Sequence, residues 1–474
     1  MQKLTKIIAT IGPASDSEKR IEALIRKGVN VFRFNFKHSS VQWHGERITR
    51  VNKIAKRMEV PVGILIDLAG PEIRIRMKDE NIKIQKDEEL LLSERTLKGA
   101  KMKGFSITRP SIISYLKDGQ HVIADDGAFS FTVVKKGSAV YLKSHSTGTL
   151  LTNKSLNIPG ANFPLPTLIK RDLEGLKLAA SHEVDFIALS FVRSPSDIRD
   201  VRKEAKKHKI TALIIAKIET QKALDTIDKI IDTTDGVMVA RGDLGVEIPI
   251  EQVPYYQKMI IRKCIVAGKF VITATQMLQS MVSFPLPTRA EISDIANAIY
   301  DHTDAIMLSG ETATGKYPEK AIDVMRNTAL FYEPKRHADI RTYIQYSAKN
   351  TTAMVCDTAY NLYRRYISAN QAIAGFLIFT QTGRTARILS RYRPQVPIYA
   401  FTPYKNVCES LTATYSIIPL PFTFYKKSEV GLQELMKAVT LLSSKKYIKK
   451  DGKLIVLHGD QWGHGSGATS IRIL

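Results

Sequence analysis

Several short apolar runs of this chain end on side chains that handle oxyanions and hard cations. One run closes on Arg33, Asn35, Lys37 and His38, and the next on Asp67. Later runs close on Lys217 and Glu219, on Asp243, and on Thr275 with Gln276. Carboxylate oxygens suit Mg²⁺, and ammonium and guanidinium groups suit phosphate and carboxylate. Only one residue separates Lys217 from Glu219, so in an extended strand both leave the same face. Taken singly, each of these charges could equally be a surface end or a structural ion pair. They share a chemistry only if the chain delivers them to one place.

The stretch from Thr211 to Ile248 indicates how it does so. Ala212 to Ala216 reads as a buried strand running into Lys217, Ile218 and Glu219. Thr220 suits an N-cap, and the spacing of Ala223, Leu224, Ile227, Ile230 and Ile231 predicts one helix over Gln221 to Asp232. A second run, Gly236 to Ala240, leads into Arg241-Gly242-Asp243. Comparable runs occur at Ile7 to Ile11, Val29 to Phe36 and Val62 to Leu68. After an interruption they resume at Phe186 to Phe191, Ala212 to Ile218, Val237 to Ala240, Phe270 to Ala274 and Ala305 to Leu308. Helix starts lie between them: Ser194-Pro195-Ser196-Asp197, the capping box of Thr288 and Glu291, and Pro318. Eight strand–helix units predict an α/β fold, a (β/α)8 TIM barrel, over residues 1-69 and 165-334. The even count and regular spacing favour closure over an open doubly wound sheet.

The interruption, 70-164, alternates polar and apolar residues between Asp-Gly and Lys-Gly turns, which predicts an inserted all-β lid domain after strand three. Such an insert leaves from the catalytic face of a barrel and would close over its mouth. A polar connector, Lys335 to Lys349, opens a C-terminal α/β domain over 335-474. Its strands are expected at Ile373 to Thr380, Pro397 to Thr402, Ser416 to Pro419, Leu454 to Leu457 and Thr469 to Leu474.

At 474 residues and 44% apolar the chain can build two or three cores. Three dispersed cysteines, Cys264, Cys356 and Cys408, form no metal or disulfide pattern and suit a reducing compartment. Met1 to Gly12 has no signal-peptide core and no run approaches a membrane span, so a cytoplasmic protein is expected. A formal charge of +24 admits nucleic acid, an acidic membrane surface or small anions as partners. Basic–aromatic clusters occur at Tyr363-Arg364-Arg365-Tyr366 and Lys445-Lys446-Tyr447, but no recognised nucleic-acid motif accompanies them, and they read as a solvated surface.

The barrel segments resemble the pyruvate kinases. The resemblance is carried by Thr5 to Ser15, Arg33-Phe34-Asn35-Phe36, Gly70-Pro71-Glu72-Ile73-Arg74, Asp185 to Arg193, Ile215 to Glu219, Met238 to Pro249, Lys258 to Cys264, Ile272 to Leu278, Pro287 to Glu291 and Ala305 to Pro318. It implies phosphoryl transfer from phosphoenolpyruvate to ADP, with Mg²⁺ (or Mn²⁺) held by Glu219 and Asp243. It further implies Lys217 and Arg33 at the phosphoryl group, and the Gly242 and Asp243 amides at the substrate carboxylate. Thr275 would stand near the carbon to be protonated. Asn35, His38, Arg74 and, from the lid, Lys154 would contact the nucleotide, and the assembly would be a homotetramer.

The chain departs from the family pattern at three places. Lys37 replaces a serine that helps hold K⁺ with Asn35, Asp67 and the carbonyl of Leu68, which leaves two alternatives: its ammonium takes the place of the ion, or it swings into solvent and K⁺ binds weakly. Leu68-Ala69 replaces Thr-Lys, and Pro164 replaces an aspartate at the lid's return. In the third domain Thr380, Thr382, Gly383, Arg384 and Thr385 match an effector-phosphate loop, with Gly463 to Gly467 as a second wall. Two rival readings remain at this point: a metal-dependent lyase or aldolase that forms a pyruvate enolate, and a non-enzymatic, basic RNA-binding scaffold.

Overall fold

The computed structural model describes residues 2–94, 103–161, 163–336, 350–424, 431–449, 452–459 and 467–474. Eight strands close into a barrel: Lys6–Thr10, Val31–Asn35, Gly63–Asp67, Phe186–Leu189, Leu213–Ile218, Gly236–Ala240, Phe270–Ala274 and Ala305–Leu308. Neighbours in the chain pair in parallel and the eighth strand returns to the first. Side chains pointing inward, among them Ile8, Leu65, Ile215, Met238 and Ile272, fill the interior, while those pointing outward pack beneath the surrounding helices. The barrel is therefore a solid support, and polar groups gather only at its ends.

The expected helix starts are built as read. Thr220 Oγ1 accepts from Ala223 N at 3.2 Å, and Thr288 and Glu291 exchange bonds of 3.2 and 2.7 Å. The single helix expected over Gln221 to Asp232 is instead two, Gln221–Asp225 and Ile227–Thr233. Thr226 breaks it. Its hydroxyl donates to the carbonyls of Lys222 and Arg193, and its backbone leaves helical geometry at φ −118°, ψ 19°. The fourth strand likewise stops at Leu189, short of Phe191, whose φ is +55°.

The insert forms a seven-stranded sheet and a two-stranded sheet around its own apolar cluster. It pairs its two ends together: Ile75 N donates to Lys154 O at 2.9 Å and Leu156 N to Ile73 O at 2.9 Å. A five-stranded sheet follows the barrel, in the order Ile417–Pro421, Ile398–Thr402, Gly375–Phe379, Leu454–His458, Ser470–Ile473, with only the last strand antiparallel. This unit sits at the amino ends of the barrel strands. Arg393 grips Asp304 through bonds of 3.0 and 2.6 Å, Ser416 N donates to Leu4 O at 2.9 Å, and Ala413 joins the barrel's inner cluster. Most of the connector and residues 463–466 lie outside the described residues.

Candidate active site

The carboxyl ends of strands two, three and five bring Arg33, Asp67, Lys217 and Glu219 into one buried network. Arg33 Nη2 lies 2.7 Å from Asp67 Oδ2 and its Nη1 donates to Thr10 Oγ1 at 3.0 Å. Lys217 Nζ lies 3.2 Å from Asp67 Oδ1 and 2.7 Å from Glu219 Oε1, and donates to Ser190 Oγ at 2.8 Å. Burial opposes the charge of Lys217, but Asp67, Glu219 and Asp243 together outweigh it and raise its proton affinity, so the ammonium is permanent. Burial also opposes ionisation of Asp67, yet Lys217 and Arg33 hold its carboxyl below the usual range.

Glu219 is different. It is fully buried, shares Lys217 with Asp67 and faces the charge of Asp243, so its carboxyl is held above the usual range. Oε2 accepts from Phe191 N at 2.6 Å, and Oε1 lies 2.7 Å from Lys217 Nζ. A fully buried carboxylate that faces the charge of a second carboxylate, Asp243, fits a divalent cation. Among the described residues no group of three or more His, Cys, Asp or Glu side chains could hold a metal. Two carboxylates with the remaining positions left to substrate and water is the pattern Mg²⁺ favours.

Strands six and seven complete the rim. The Arg241–Glu247 helix starts directly at the end of strand six and carries Gly242 and Asp243 in its first turn. The N–H of Gly242 donates to Thr275 Oγ1 at 2.8 Å, and that hydroxyl donates to Ala274 O at 2.6 Å. The Gly242 amide expected to face a substrate carboxylate is thus engaged by Thr275. A methyl at Gly242 would meet only ordinary contacts, so the protein itself does not require glycine there. Thr275 and Gln276 are left-handed, with φ +67° and +54°. They are held in place by Arg241, which donates to Thr275 O at 2.8 Å and pairs with Asp294 at 2.6 Å.

Lys37 leaves the network. Its Nζ lies 3.4 Å from Glu72 Oε2 and 5.3 Å from the ring centre of Phe191, although its charge still favours the ionised forms of Asp67 and Glu219. Asn35 Oδ1 accepts from Lys37 N at 3.1 Å, and Ser190 Oγ occupies Leu68 O at 2.7 Å. Glu72 also pairs with Arg74 at 2.8 Å, and Arg74 donates to Asn153 O at 2.8 Å, beside Lys154. Desolvation and the charges of Arg74, Lys37 and Arg33 lower the proton affinity of His38. Arg74 and Lys37 therefore form a cationic pair on the lid side of the mouth, with His38 biased toward its neutral form beside them, and Lys154 pairs with Asp125 at 2.7 Å.

The third-domain loop stands apart from this mouth. Thr380 Oγ1 accepts from Gly383 N at 2.9 Å, and Gly383 turns at φ +77° into a short helix, Arg384–Ser390. Thr382 and Arg384 are exposed, whereas Thr385 is buried.

Sequence reading assigned no role to Ser190, Arg241 or Glu72. Arg241 stood in plain view beside Gly242 and Asp243. Ser190 had no local signal, because its importance comes from strand five across the barrel.

Residues 2–322 match the sequence model of the pyruvate kinase barrel domain, and residues 363–474 that of the pyruvate kinase alpha/beta domain. The chain is 44% identical over 428 residues to a pyruvate kinase of Staphylococcus saprophyticus, covering 88% of this chain and 71% of that one. It is 42% identical over 426 residues to a pyruvate kinase of Staphylococcus epidermidis, with the same coverage. With a pyruvate kinase of Staphylococcus aureus strain USA300 the identity is 40% over 463 residues, 96% of this chain and 77% of that one. With its buried lysine–carboxylate network at the mouth of a closed barrel, this chain belongs to the pyruvate kinase family.

Proposed function

We infer that this protein is a pyruvate kinase, transferring the phosphoryl group of phosphoenolpyruvate to ADP to give pyruvate and ATP. The observation that carries this reading is Lys217, a permanent ammonium wedged between Asp67 and Glu219. In the reaction the bond from phosphorus to the enol oxygen breaks and a bond to a terminal ADP oxygen forms. The enolate left behind takes a proton at carbon to become pyruvate. Charge spreads over the phosphoryl oxygens in flight, and fixed cations already paid for by the fold stabilise it without reorganising. Lys217 and Arg33 are placed for that role.

Glu219 and Asp243 would hold Mg²⁺ or Mn²⁺, which when bound neutralises charge on the phosphoryl and carboxylate oxygens. The Gly242 and Asp243 amides receive the substrate carboxylate, the former by exchanging its bond with Thr275. Because the Thr275 hydroxyl gives its proton to Ala274 O, its part is to orient a water near the enolate carbon. Asn35, His38, Arg74 and Lys154 serve the nucleotide. From its position beside Glu72, Lys37 acts on Asp67 only through its charge, and that charge stands in for part of what K⁺ would bring to Asn35, Asp67 and Leu68.

The same reading divides the chain into a catalytic barrel (1-69 and 165-334), a lid (70-164) and a regulatory domain (335-474). That last domain would bind a phosphorylated effector through Thr380, Thr382, Gly383, Arg384 and Thr385. It also proposes a cytoplasmic homotetramer. No helix among the described residues is long and apolar enough to cross a membrane. A coupled assay with phosphoenolpyruvate, ADP and Mg²⁺ tests the function. Turnover supports it. No turnover, together with carbon–carbon cleavage or salt-dependent RNA binding, would favour one of the rival readings.

A further inference from the structure

Strand two ends at Asn35, and residues 36–39 carry Lys37 and His38 along the mouth before the helix Val41–Met58 starts. Backbone outside regular structure needs partners for its carbonyls, and here Ser39 is also held left-handed, at φ +60°. Arg171 supplies the donors. Its Nε donates to Phe36 O at 3.1 Å, and its Nη2 donates to His38 O at 3.3 Å and to Ser39 O. Among the described residues no other group donates to the carbonyls of Phe36 and Ser39. His44 Nε2 is a second donor to His38 O, at 2.9 Å; a carbonyl only accepts, so that nitrogen carries the proton. Burial lowers the proton affinity of His44 to about 4, so the neutral ring does this, stacked on Phe36 with ring centres 4.3 Å apart.

Arg171 is the second residue of the helix Lys170–Ser181, which follows the insert's return to the barrel. Its neighbour Asp172 does the opposite work. Asp172 Oδ1 accepts from Ala69 N at 2.8 Å and from Gly70 N at 3.2 Å, where the insert departs. Gly175, one turn further on, brings the helix close to both segments: a methyl there would stand 3.1 Å from Phe36 Cδ1 and 3.2 Å from Leu68 Cδ2. One helix start therefore holds the base of the insert through a carboxylate and the loop of Lys37 and His38 through a guanidinium. The two held segments meet again above the mouth, where Glu72 pairs with Lys37 at 3.4 Å and with Arg74 at 2.8 Å.

We propose that Arg171 is a positioning residue for the nucleotide half of the site: by gathering the carbonyls of Phe36, His38 and Ser39 it fixes the loop that presents His38 on the same side of the mouth as Arg74. A planar guanidinium spreads its N–H groups over three acceptors at once, which the compact ammonium of a lysine cannot match. Its charge also lies over the Phe36 ring, 5.5 Å from the ring centre. The proposal rests on the reading that His38 and Arg74 contact ADP.

The test uses the full chain carrying Arg171→Met or Arg171→Lys; the side chain is partly exposed, so neither change opens the core. The N–H groups of Lys37 and His38 are held by Asn35 at 3.1 and 3.2 Å and report on the loop. In ligand-free Arg171→Met their exchange should be faster by about tenfold, while exchange at Ala69 and Gly70, held by Asp172, changes by less than about twofold. KM for ADP should rise by about tenfold and KM for phosphoenolpyruvate by less than about twofold. Arg171→Lys keeps the charge but not the fork and should fall between the native chain and Arg171→Met. Unchanged exchange at Lys37 and His38 overturns the clamp. Equal acceleration at all four amides does so too, since that is a loosened helix. Faster loop exchange with an unchanged KM for ADP, or with an equal loss toward both substrates, overturns the positioning role. A native chain without turnover overturns the kinase reading and the positioning role with it, while exchange at Lys37 and His38 still decides the clamp.

Discussion

Lys217 Nζ lies 2.7 Å from Glu219 Oε1 and 3.2 Å from Asp67 Oδ1, so one buried ammonium bridges two carboxylates. The lysine also donates to Ser190 Oγ, and the fully buried Glu219, which shares this one ammonium with Asp67 and faces the charge of Asp243, suits a second cation. The lysine and the metal position are thus built from one contact. Replacing Lys217 by Met should lower kcat by about 10²–10³-fold, the usual cost of removing one preorganised charge from a transition state. It should also lower the melting temperature, because Asp67 and Glu219 lose a buried partner. Steady-state kinetics and a thermal melt on the same preparation check both outcomes.

Lys37 pairs with Glu72 at 3.4 Å while its charge reaches Asp67 and Glu219. A fixed ammonium there predicts substantial turnover in K⁺-free buffer and less than about twofold activation on adding K⁺. Lys37→Ser should make activity depend on the ion. Strong activation of the unaltered chain by K⁺ would mean that the side chain swings clear of the site.

The joint between barrel and third domain should respond to pH. Burial pushes Glu409 up to about 7, with Lys405 opposing and Glu183 adding to the shift, and the neighbouring Asp185 is also raised well above the carboxylate range by burial. Glu409 binds its proton more tightly in the folded chain, so its contribution to stability is full below its ordinary value of 4.5 and is lost as pH rises through about 7. Melting temperature should therefore fall between pH 5 and 8 more steeply in the native chain than in Glu409→Gln. Equal slopes would refute this assignment.

Arg393 and Asp304 are both almost fully buried and doubly bonded across the same joint. Replacing Arg393 by Met leaves Asp304 buried and unpaired, which should cost about 3–5 kcal/mol in denaturant unfolding. A loss under about 1 kcal/mol would mean that the joint is held mainly by apolar contacts.

The barrel was legible because every strand is a short apolar run ended by a polar residue, and that pattern survives without knowledge of the partners. The rim residues Arg33, Asp67, Lys217, Glu219 and Asp243 were legible for the same reason. Thr226 was not: its side-chain bond to Lys222 O competes with a helical register that the apolar spacing alone continues through. Ser190 was also missed, because the group it serves, Lys217, lies on another strand far away in sequence. The placement of Lys37 beside Glu72 rather than Asp67 depended on a side-chain rotamer, which composition and spacing do not determine.

The central claim is that Lys217, Glu219 and Asp243 form one phosphoryl-transfer site. It is tested most directly by measuring ATP formation from phosphoenolpyruvate and ADP as Mg²⁺ is titrated, in the native chain and in Glu219→Gln. The account predicts saturable, Mg²⁺-dependent ATP formation whose half-saturating Mg²⁺ rises by at least about tenfold in the variant. ATP formation with the same Mg²⁺ dependence in both proteins, or none in the native chain, would contradict it.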